Sequence, residues 1–194
     1  MTLLNIKTIY ELSTPDERKH GLTWYKIANT ECLKIARKFD MPLYIVVGVV
    51  AALSPNNKWD RNITNGHDLI QAFINGDHME SVKVSTYNKM KEKAWTILET
   101  MPLYGATKTL LNGQKIVCFF ENIMGEDTCT IDGHARNIYY GERIGLTNDK
   151  TNIGKKEYQF LQDEYRKVAS EYGMKAYEMQ AITWVAWRRL HNIS

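Results

Sequence analysis

Asp132 is the residue whose sequence setting most directly suggests chemistry. It stands in the run Ile131-Asp132-Gly133-His134-Ala135-Arg136, with an apolar residue before it and a helical stretch after it. A carboxylate held away from water can stabilise positive charge that develops on a sugar, or align a water molecule for attack. The simpler local interpretation is a helix cap, because an aspartate side chain can accept a hydrogen bond from a free backbone N–H. The short run alone favours the cap.

Lys115 is the second candidate, because it follows Asn112-Gly113, a dipeptide typical of tight turns, and begins an apolar helical pattern. A lysine there could attack a sugar carbon and form an imine if burial left its amine neutral. It could equally be solvated or contact a phosphate. The backbone N–H groups of Asn112, Gly113 and Gln114 would face an anion if the turn leads directly into a helix. An ordinary Asn-Gly turn is the other interpretation.

The sequence contains no motif for a metal or a cofactor. Its three cysteines, Cys32, Cys118 and Cys129, lack CxxC spacing, and its five histidines form no HExxH or comparable pair. No glycine-rich phosphate loop follows a strand. We therefore expect reduced, mostly core-packed thiols, no metal site and no cofactor.

The elements that must position these residues are helices. Ser13-Thr14-Pro15 predicts the start of a helix over about 15–39, and Pro42 opens an apolar helix that ends near Leu53. Gly141 is expected to end the helix that follows Asp132. Strand alternation is absent, so the predicted fold class is all-α. The remaining helices are predicted at about 66–73, 86–99, 114–124, 155–172 and 175–190. The buried face of 114–124 is expected to contain Ile116, Phe119, Phe120 and Ile123, and that of 175–190 to include Met179, Ile182, Trp187 and Leu190.

The length and charge of the chain limit the classes of protein to which it could belong. The 194 residues, 44% of them hydrophobic, predict one domain over 1–194 that could form two helical lobes around a cleft. The longest apolar run, 44–53, is far shorter than the roughly 20 residues that cross a membrane, and the N-terminus lacks a signal pattern. We expect a monomer in the cytoplasm, or in the host cytoplasm if a phage encodes it. The net charge of +3 is compatible with a polyanion partner.

The segment 110–141 resembles the hairpin, following helix and catalytic loop of the helix-hairpin-helix (HhH-GPD) DNA glycosylase superfamily. Those proteins have a hairpin glycine, a lysine two residues later in bifunctional members, an apolar helix and a V/I-D-x-H-x-x-R element. This chain has the same order of elements: the glycine is Gly113, the lysine is Lys115, the apolar helix is 116–123 and the final element is 131–136. Segments 52–63 and 85–98 also resemble the family, and the likeness is strongest over 40–141. In style the likeness is closer still to a divergent phage and plasmid branch, which includes proteins proposed to be α-glutamyl/putrescinyl thymine pyrophosphorylases.

Two features depart from that family. Its hairpin usually reads L-P-G-V-G, whereas this chain has Leu110-Leu111-Asn112-Gly113, with one glycine and no proline. The C-terminal four-cysteine cluster of some relatives is also missing, so no iron–sulfur cluster is implied.

The resemblance implies a catalytic role for Asp132, with Lys115 as an optional second catalytic residue. The DNA contacts that it implies are Asn112, Gly113, Gln114, His134, Arg136, Asn56 and Trp59. Asn56 would fill the gap left by a flipped nucleotide, and Trp59 would stack on a base. The simpler interpretations are an Asn in a turn, a Trp that covers the edge of the core, and basic residues that are only solvated.

Three functions are therefore carried forward. The first is a DNA N-glycosylase that flips a modified or damaged pyrimidine base out of double-stranded DNA and cleaves its bond to deoxyribose. The second is a nucleobase transferase or pyrophosphorylase-like enzyme that acts on a thymine or hydroxymethylpyrimidine nucleotide during hypermodification of phage DNA. The third is a non-catalytic DNA-binding module in which Asp132 is only a cap.

Overall fold

The computed structural model describes residues 3–145 and 152–193, and this part of the chain contains helices and no strand. The predicted all-α fold class is therefore confirmed. None of the helices described is long and apolar enough to cross a membrane. Within these described ranges there are ten helices: α1 Leu3–Glu11, α2 Pro15–Lys38, α3 Leu43–Ala52, α4 Trp59–Asn75, α5 Asn88–Thr100, α6 Tyr104–Leu111, α7 Gln114–Met124, α8 Gly133–Tyr140, α9 Lys155–Glu171 and α10 Ala176–Leu190, with a 3-10 turn at Met79–Ser81.

The chain forms two compact units. The first unit consists of Met1–Tyr25 with Gly125–Ser194, and the second unit consists of Lys26–Met124. The chain passes from the first to the second within α2. The second unit has twelve basic and nine acidic residues, whereas the first has thirteen of each, so the whole net charge of +3 belongs to the second unit.

Helix α3 forms the centre of the second unit. Every residue from Ile45 to Ala52 is buried, as its apolar sequence predicted, and α4, α5, α6 and α7 pack against it. Gly48 permits the approach of α6, because a Cβ there would lie 2.8 Å from Cγ2 of Thr107. Helix α6 was not predicted from the sequence, yet it brings the chain to Asn112-Gly113.

Helix α10 is the central helix of the first unit, where it packs against α1, α8 and α9. Its buried residues include Met179, Ile182 and Trp187, as predicted. Leu190 was also predicted to be buried but is 37% exposed, because it is the last residue of the helix. A Cβ on Gly21 of α2 would lie only 2.5 Å from Cα of Ile182, so α2 and α10 approach each other closely there.

The start of α2 follows the predicted pattern. Thr14 accepts a hydrogen bond from the Glu17 N–H at 3.2 Å, and the Glu17 carboxylate accepts one from the Thr14 N–H at 2.8 Å. Pro15 occupies the first helical position, where its missing N–H costs nothing. The same carboxylate also receives the Nε of Arg189 at 2.6 Å, so it joins the start of α2 to the end of α10.

Replacing Glu17 with glutamine is expected to lower the free energy of unfolding at neutral pH, but not in acid. The hydrogen bond from Arg189 is the main cause that holds the pKa of Glu17 below its ordinary value of 4.5, against the opposing effect of burial. The contribution is therefore present above about pH 4.5 and is lost as the pH falls through the lower folded-state pKa. Urea denaturation of both proteins between neutral pH and about pH 2 measures the difference. If the two proteins differed in free energy of unfolding by the same amount at neutral pH and at about pH 2, the prediction would be contradicted.

Candidate active site and nucleic-acid contacts

Asp132 is the N-cap of α8 in the first unit. Its backbone is extended, and its Oδ1 accepts a hydrogen bond from the Ala135 N–H at 2.8 Å. Its Oδ2 receives no hydrogen bond from the residues that the structure describes. The side chain is half-buried. Asp132 therefore fulfils the capping role and, at a helix end that favours negative charge, also leaves one carboxylate oxygen for another partner.

The loop before Asp132 is held by α9, a contribution that the sequence analysis missed. The Ile131 N–H donates to the hydroxyl of Tyr158 at 3.0 Å, and Nε2 of Gln162 donates to the carbonyl of Cys129 at 2.8 Å. After Asp132, the hydroxyl of Tyr165 donates to the carbonyl of Ala135 at 3.2 Å. The available signal was the placement of polar residues at core positions of an amphipathic helix.

Arg136 is mostly withdrawn from solvent. Its side chain is 13% exposed, and its Nε donates to Oε1 of Glu157 at 3.1 Å. Its Nη1 lies 3.7 Å from a carboxylate oxygen of Glu142, and the guanidinium lies 4.5 Å from the ring centre of Tyr140. The interpretation of Arg136 as an exposed, solvated residue is therefore wrong. A phosphate at Arg136 would have to compete with two carboxylates.

His134 lies on the same helix and is half-buried. Its ring contacts that of Trp184 edge to face, with 6.4 Å between the ring centres. The guanidinium of Arg188 lies over the ring of Trp184, 4.5 Å from the ring centre. The surroundings of His134 in the first unit are thus aromatic and cationic.

A two-residue turn joins α6 to α7 in the second unit. Asn112 and Gly113 are both exposed and both have positive φ, 46° and 101°. Asn and Gly are the residues that adopt such backbone angles most readily. The helical hydrogen bonds of α7 begin with the Val117 N–H on the Gly113 carbonyl at 3.1 Å. The N–H groups that precede Val117 in α7 therefore have no partner within the helix.

Two lysines fix the helices on either side of this turn. Lys93 of α5 donates to the carbonyl of Leu111, the last residue of α6. Lys108 of α6 pairs with Glu121 of α7 at 2.6 Å, and the Glu121 side chain is only 11% exposed. The turn is thus supported by a hydrogen bond at one end and an ion pair between its two helices.

Lys115 and Lys93 have different surroundings. The side chain of Lys115 is exposed, so it lacks the burial that an imine-forming lysine requires. Burial lowers the pKa of Lys93, and the charge of Lys89 lowers it further. Lys93 is nevertheless committed to the Leu111 carbonyl, which makes it a support of the turn. Gln114, between the turn and Lys115, is half-buried.

Asn56 and Trp59 lie at the connection between α3 and α4. Asn56 is exposed and has a φ of 53°, at a turn that is anchored by the Thr86 hydroxyl, which donates to the Pro55 carbonyl at 2.5 Å. The indole N–H of Trp59 donates to Glu31 at 2.6 Å, and its ring packs edge-on against that of Phe119. Trp59 therefore occupies the edge of the core, whereas Asn56 projects from the turn.

Metal-binding groups are not gathered anywhere in the described ranges 3–145 and 152–193, where no three His, Cys, Asp or Glu side chains could hold an ion. All three cysteines are buried thiols that form no disulfide within the described residues. Burial raises the pKa of the Cys32 thiol to about 12. These thiols belong to the core.

The described residues define an all-helical protein with a capping aspartate in its first unit and a two-residue turn between helices in its second. The chain belongs to DUF7178, a family of unknown function whose profile matches residues 2–191. No curated protein and no solved structure matches the chain significantly.

Proposed function

We propose that this protein is a DNA N-glycosylase that flips out a modified or damaged pyrimidine and cleaves its N-glycosidic bond, with Asp132 as the catalytic carboxylate. The setting of Asp132 is the observation that supports this most. The Ala135 N–H holds one carboxylate oxygen at 2.8 Å, and the other oxygen has no donor among the described residues. Such a carboxylate is oriented, yet one of its oxygens remains free to act.

The reaction needs a negative group more than it needs a strong base. As the C1′–N bond breaks, its electron pair leaves with the base and positive charge develops on the sugar. The carboxylate of Asp132 stabilises that charge and aligns a water molecule. The water delivers its hydroxyl to C1′, and a proton reaches the departing base. No cofactor is required for this balance.

The turn between α6 and α7 is the proposed contact with the DNA backbone. The N-terminal N–H groups of α7 and the exposed ammonium of Lys115 both suit a phosphate. The second unit also contains all of the protein's net positive charge. The exposure of Lys115 supports a phosphate contact over imine formation. Asn56, with both a donor and an acceptor, is proposed to fill the space left by the flipped nucleotide.

Replacing Gly113 with alanine is expected to weaken duplex binding and reduce the salt dependence of log Kd by about 1. Its φ of 101° is strained for alanine, although nothing lies within 4 Å of the added Cβ. The strain would alter the turn and therefore the direction of the N–H groups that follow. Fluorescence anisotropy on a labelled duplex at several salt concentrations measures the effect. Gly76→Ala is the matched control, because Gly76 has a φ of 77°, equally open surroundings and a place at the end of α4. Equal effects of the two substitutions would remove the turn from the interface.

A nucleobase transferase or pyrophosphorylase-like enzyme is the second candidate. The ion pairs of Arg136 with Glu157 and Glu142 favour it, because they leave less positive charge for a duplex backbone. The single glycine of the turn between α6 and α7 also favours the second candidate. A free nucleotide requires fewer phosphate contacts than a duplex does. This enzyme would share Asp132 as its functional carboxylate.

The deciding experiment is incubation of the purified protein with duplexes that contain normal bases, uracil, hydroxymethyluracil or hydroxymethylcytosine, followed by mass detection of released base. Release supports the glycosylase. Conversion of a thymine or hydroxymethylpyrimidine nucleotide, without release from any duplex, supports the second candidate. Duplex binding without either reaction supports the non-catalytic module, which the capping role of Asp132 would suit. Borohydride trapping is expected to yield no covalent complex through Lys115, because its amine is exposed.

A further inference from the structure

Helix α9 buries three polar side chains on one face. Tyr158, Gln162 and Tyr165 follow at intervals of four and three residues, which places them above one another along the helix. They are 2%, 7% and 0% exposed. A buried polar group destabilises a protein unless it is hydrogen-bonded, so the partners of these side chains indicate why polar residues stand there. We call these three residues the α9 face.

The main-chain hydrogen bonds of the α9 face reach residues within one stretch of seven around Asp132, from Cys129 to Ala135. Before Asp132, the Tyr158 hydroxyl accepts from the Ile131 N–H at 3.0 Å and donates to the Cys129 carbonyl at 3.4 Å. Gln162 donates to the same carbonyl at 2.8 Å. The Tyr165 hydroxyl donates to the Ala135 carbonyl at 3.2 Å, beyond Asp132. The loop is therefore fixed on both sides of the carboxylate.

We propose that the α9 face positions the carboxylate of Asp132, with Tyr158 and Tyr165 as positioning residues. Its catalytic consequence rests on the proposed glycosylase function, whereas its geometric consequence does not. Asp132 keeps its bond to the Ala135 N–H only while residues 131 and 135 keep their separation. Tyr158 holds the first of these residues and Tyr165 holds the second.

Support of the loop matters because a reaction rate is sensitive to small displacements of the reacting group. A displacement of about 1 Å at a reacting group can lower a rate by roughly a hundredfold. Water cannot easily replace the lost hydroxyls, because Tyr158 and Tyr165 are buried. Burial raises the pKa of Tyr165 well above its ordinary value, although a hydrogen bond with the Thr183 side chain acts to lower it. The Tyr165 hydroxyl therefore stays protonated and remains a donor to Ala135.

The first test needs no activity. Amide hydrogen exchange is measured in wild type, Tyr158→Phe and Tyr165→Phe, since phenylalanine keeps the ring and removes only the hydroxyl. Exchange at Ile131 and Ala135 is expected to accelerate roughly tenfold, while distant helices of the first unit stay protected. Tyr25→Phe is the matched control, because Tyr25 is also buried in the first unit but its hydroxyl pairs with Gln180. Unchanged exchange at both amides would overturn the proposal.

The second test uses base release. Tyr158→Phe and Tyr165→Phe are expected to lower kcat at least roughly tenfold with KM nearly unchanged, beyond any loss in Tyr25→Phe. Combined with Asp132→Asn, they should cause no further loss, because they act through that carboxylate. A full additional loss in the double variants, or equality with Tyr25→Phe, would contradict the positioning role. Absence of base release by wild type would refute the glycosylase instead, and the exchange measurement would still decide the geometry.

Discussion

Replacing Asp132 with asparagine is expected to lower the rate of base release at least about a hundredfold while the protein remains folded. Asparagine caps helices about as well as aspartate, so its side-chain oxygen can still accept from the Ala135 N–H. The substitution removes only the negative charge and one of the two oxygens. A loss of activity without a loss of stability therefore separates the catalytic role of Asp132 from its capping role.

The measurement combines single-turnover base release, duplex binding and thermal unfolding. Asp132→Ala should lose activity and also about 1 kcal/mol of stability, because alanine removes the cap. Asp127→Asn is the matched control, since Asp127 is an exposed carboxylate of the same loop and should be replaceable without effect. Release at the wild-type rate by Asp132→Asn would assign Asp132 to capping alone and would favour the non-catalytic module.

Gly21→Ala is expected to destabilise the protein by about 3 kcal/mol or more, a large fraction of the roughly 5–15 kcal/mol by which native proteins are stable. The added Cβ would lie 2.5 Å from both Cα and N of Ile182. Backbone atoms of a helix cannot rotate away as a side-chain end can. Helices α2 and α10 would have to separate, and the buried face of α10 would lose part of its packing.

Denaturant unfolding measures this effect, and two further variants make it specific. Gly105→Ala places the same methyl group on α6, where nothing lies within 4 Å, and should be neutral or stabilising by up to about 1 kcal/mol. Adding Ile182→Ala to Gly21→Ala should not restore stability, because the clash with the Ile182 backbone remains. Wild-type stability of Gly21→Ala would contradict the close approach.

The sequence was sufficient where a helix has a continuous apolar face. The pattern of Ile116, Phe120 and Ile123 predicted α7 with both of its bounds. The apolar run after Pro42 predicted α3 and its burial. Gly141 was predicted to end α8, and its φ of 66° is the left-handed conformation that suits glycine. Periodicity and end signals acted together in these elements.

Helices whose packing depends on small or polar residues were not predicted fully. Helix α6 buries only Thr107 and Leu111, which is too few for a periodic pattern, and it is defined by its approach to Gly48 of α3. The first turns of α4 bury Asn62 and Asn65, whose polarity hid the helical period, so the predicted helix at 66–73 was too short. Helix α1 was not predicted at all.

The candidate site likewise has some features that the sequence predicted and others that it did not. The cap at Asp132 could be anticipated, because its partner is three residues away. The α9 face could not, because Tyr158, Gln162 and Tyr165 reach partners 27 to 33 residues distant in the chain. The burial of Arg136 could not be anticipated for a similar reason, because its partner Glu157 lies 21 residues further along the chain. Contacts of that range are set by how helices pack, which a single sequence does not specify.

The division of the first unit between the two ends of the chain has a consequence for biosynthesis. A ribosome releases Lys26–Met124 before any of Gly125–Ser194, so the second unit can condense while the first still lacks most of its residues. Helix α1 must then wait for α8, α9 and α10, its packing partners. Asp132 leaves the ribosome before α9, so the helix that holds its loop cannot position its carboxylate until α9 has also been synthesised.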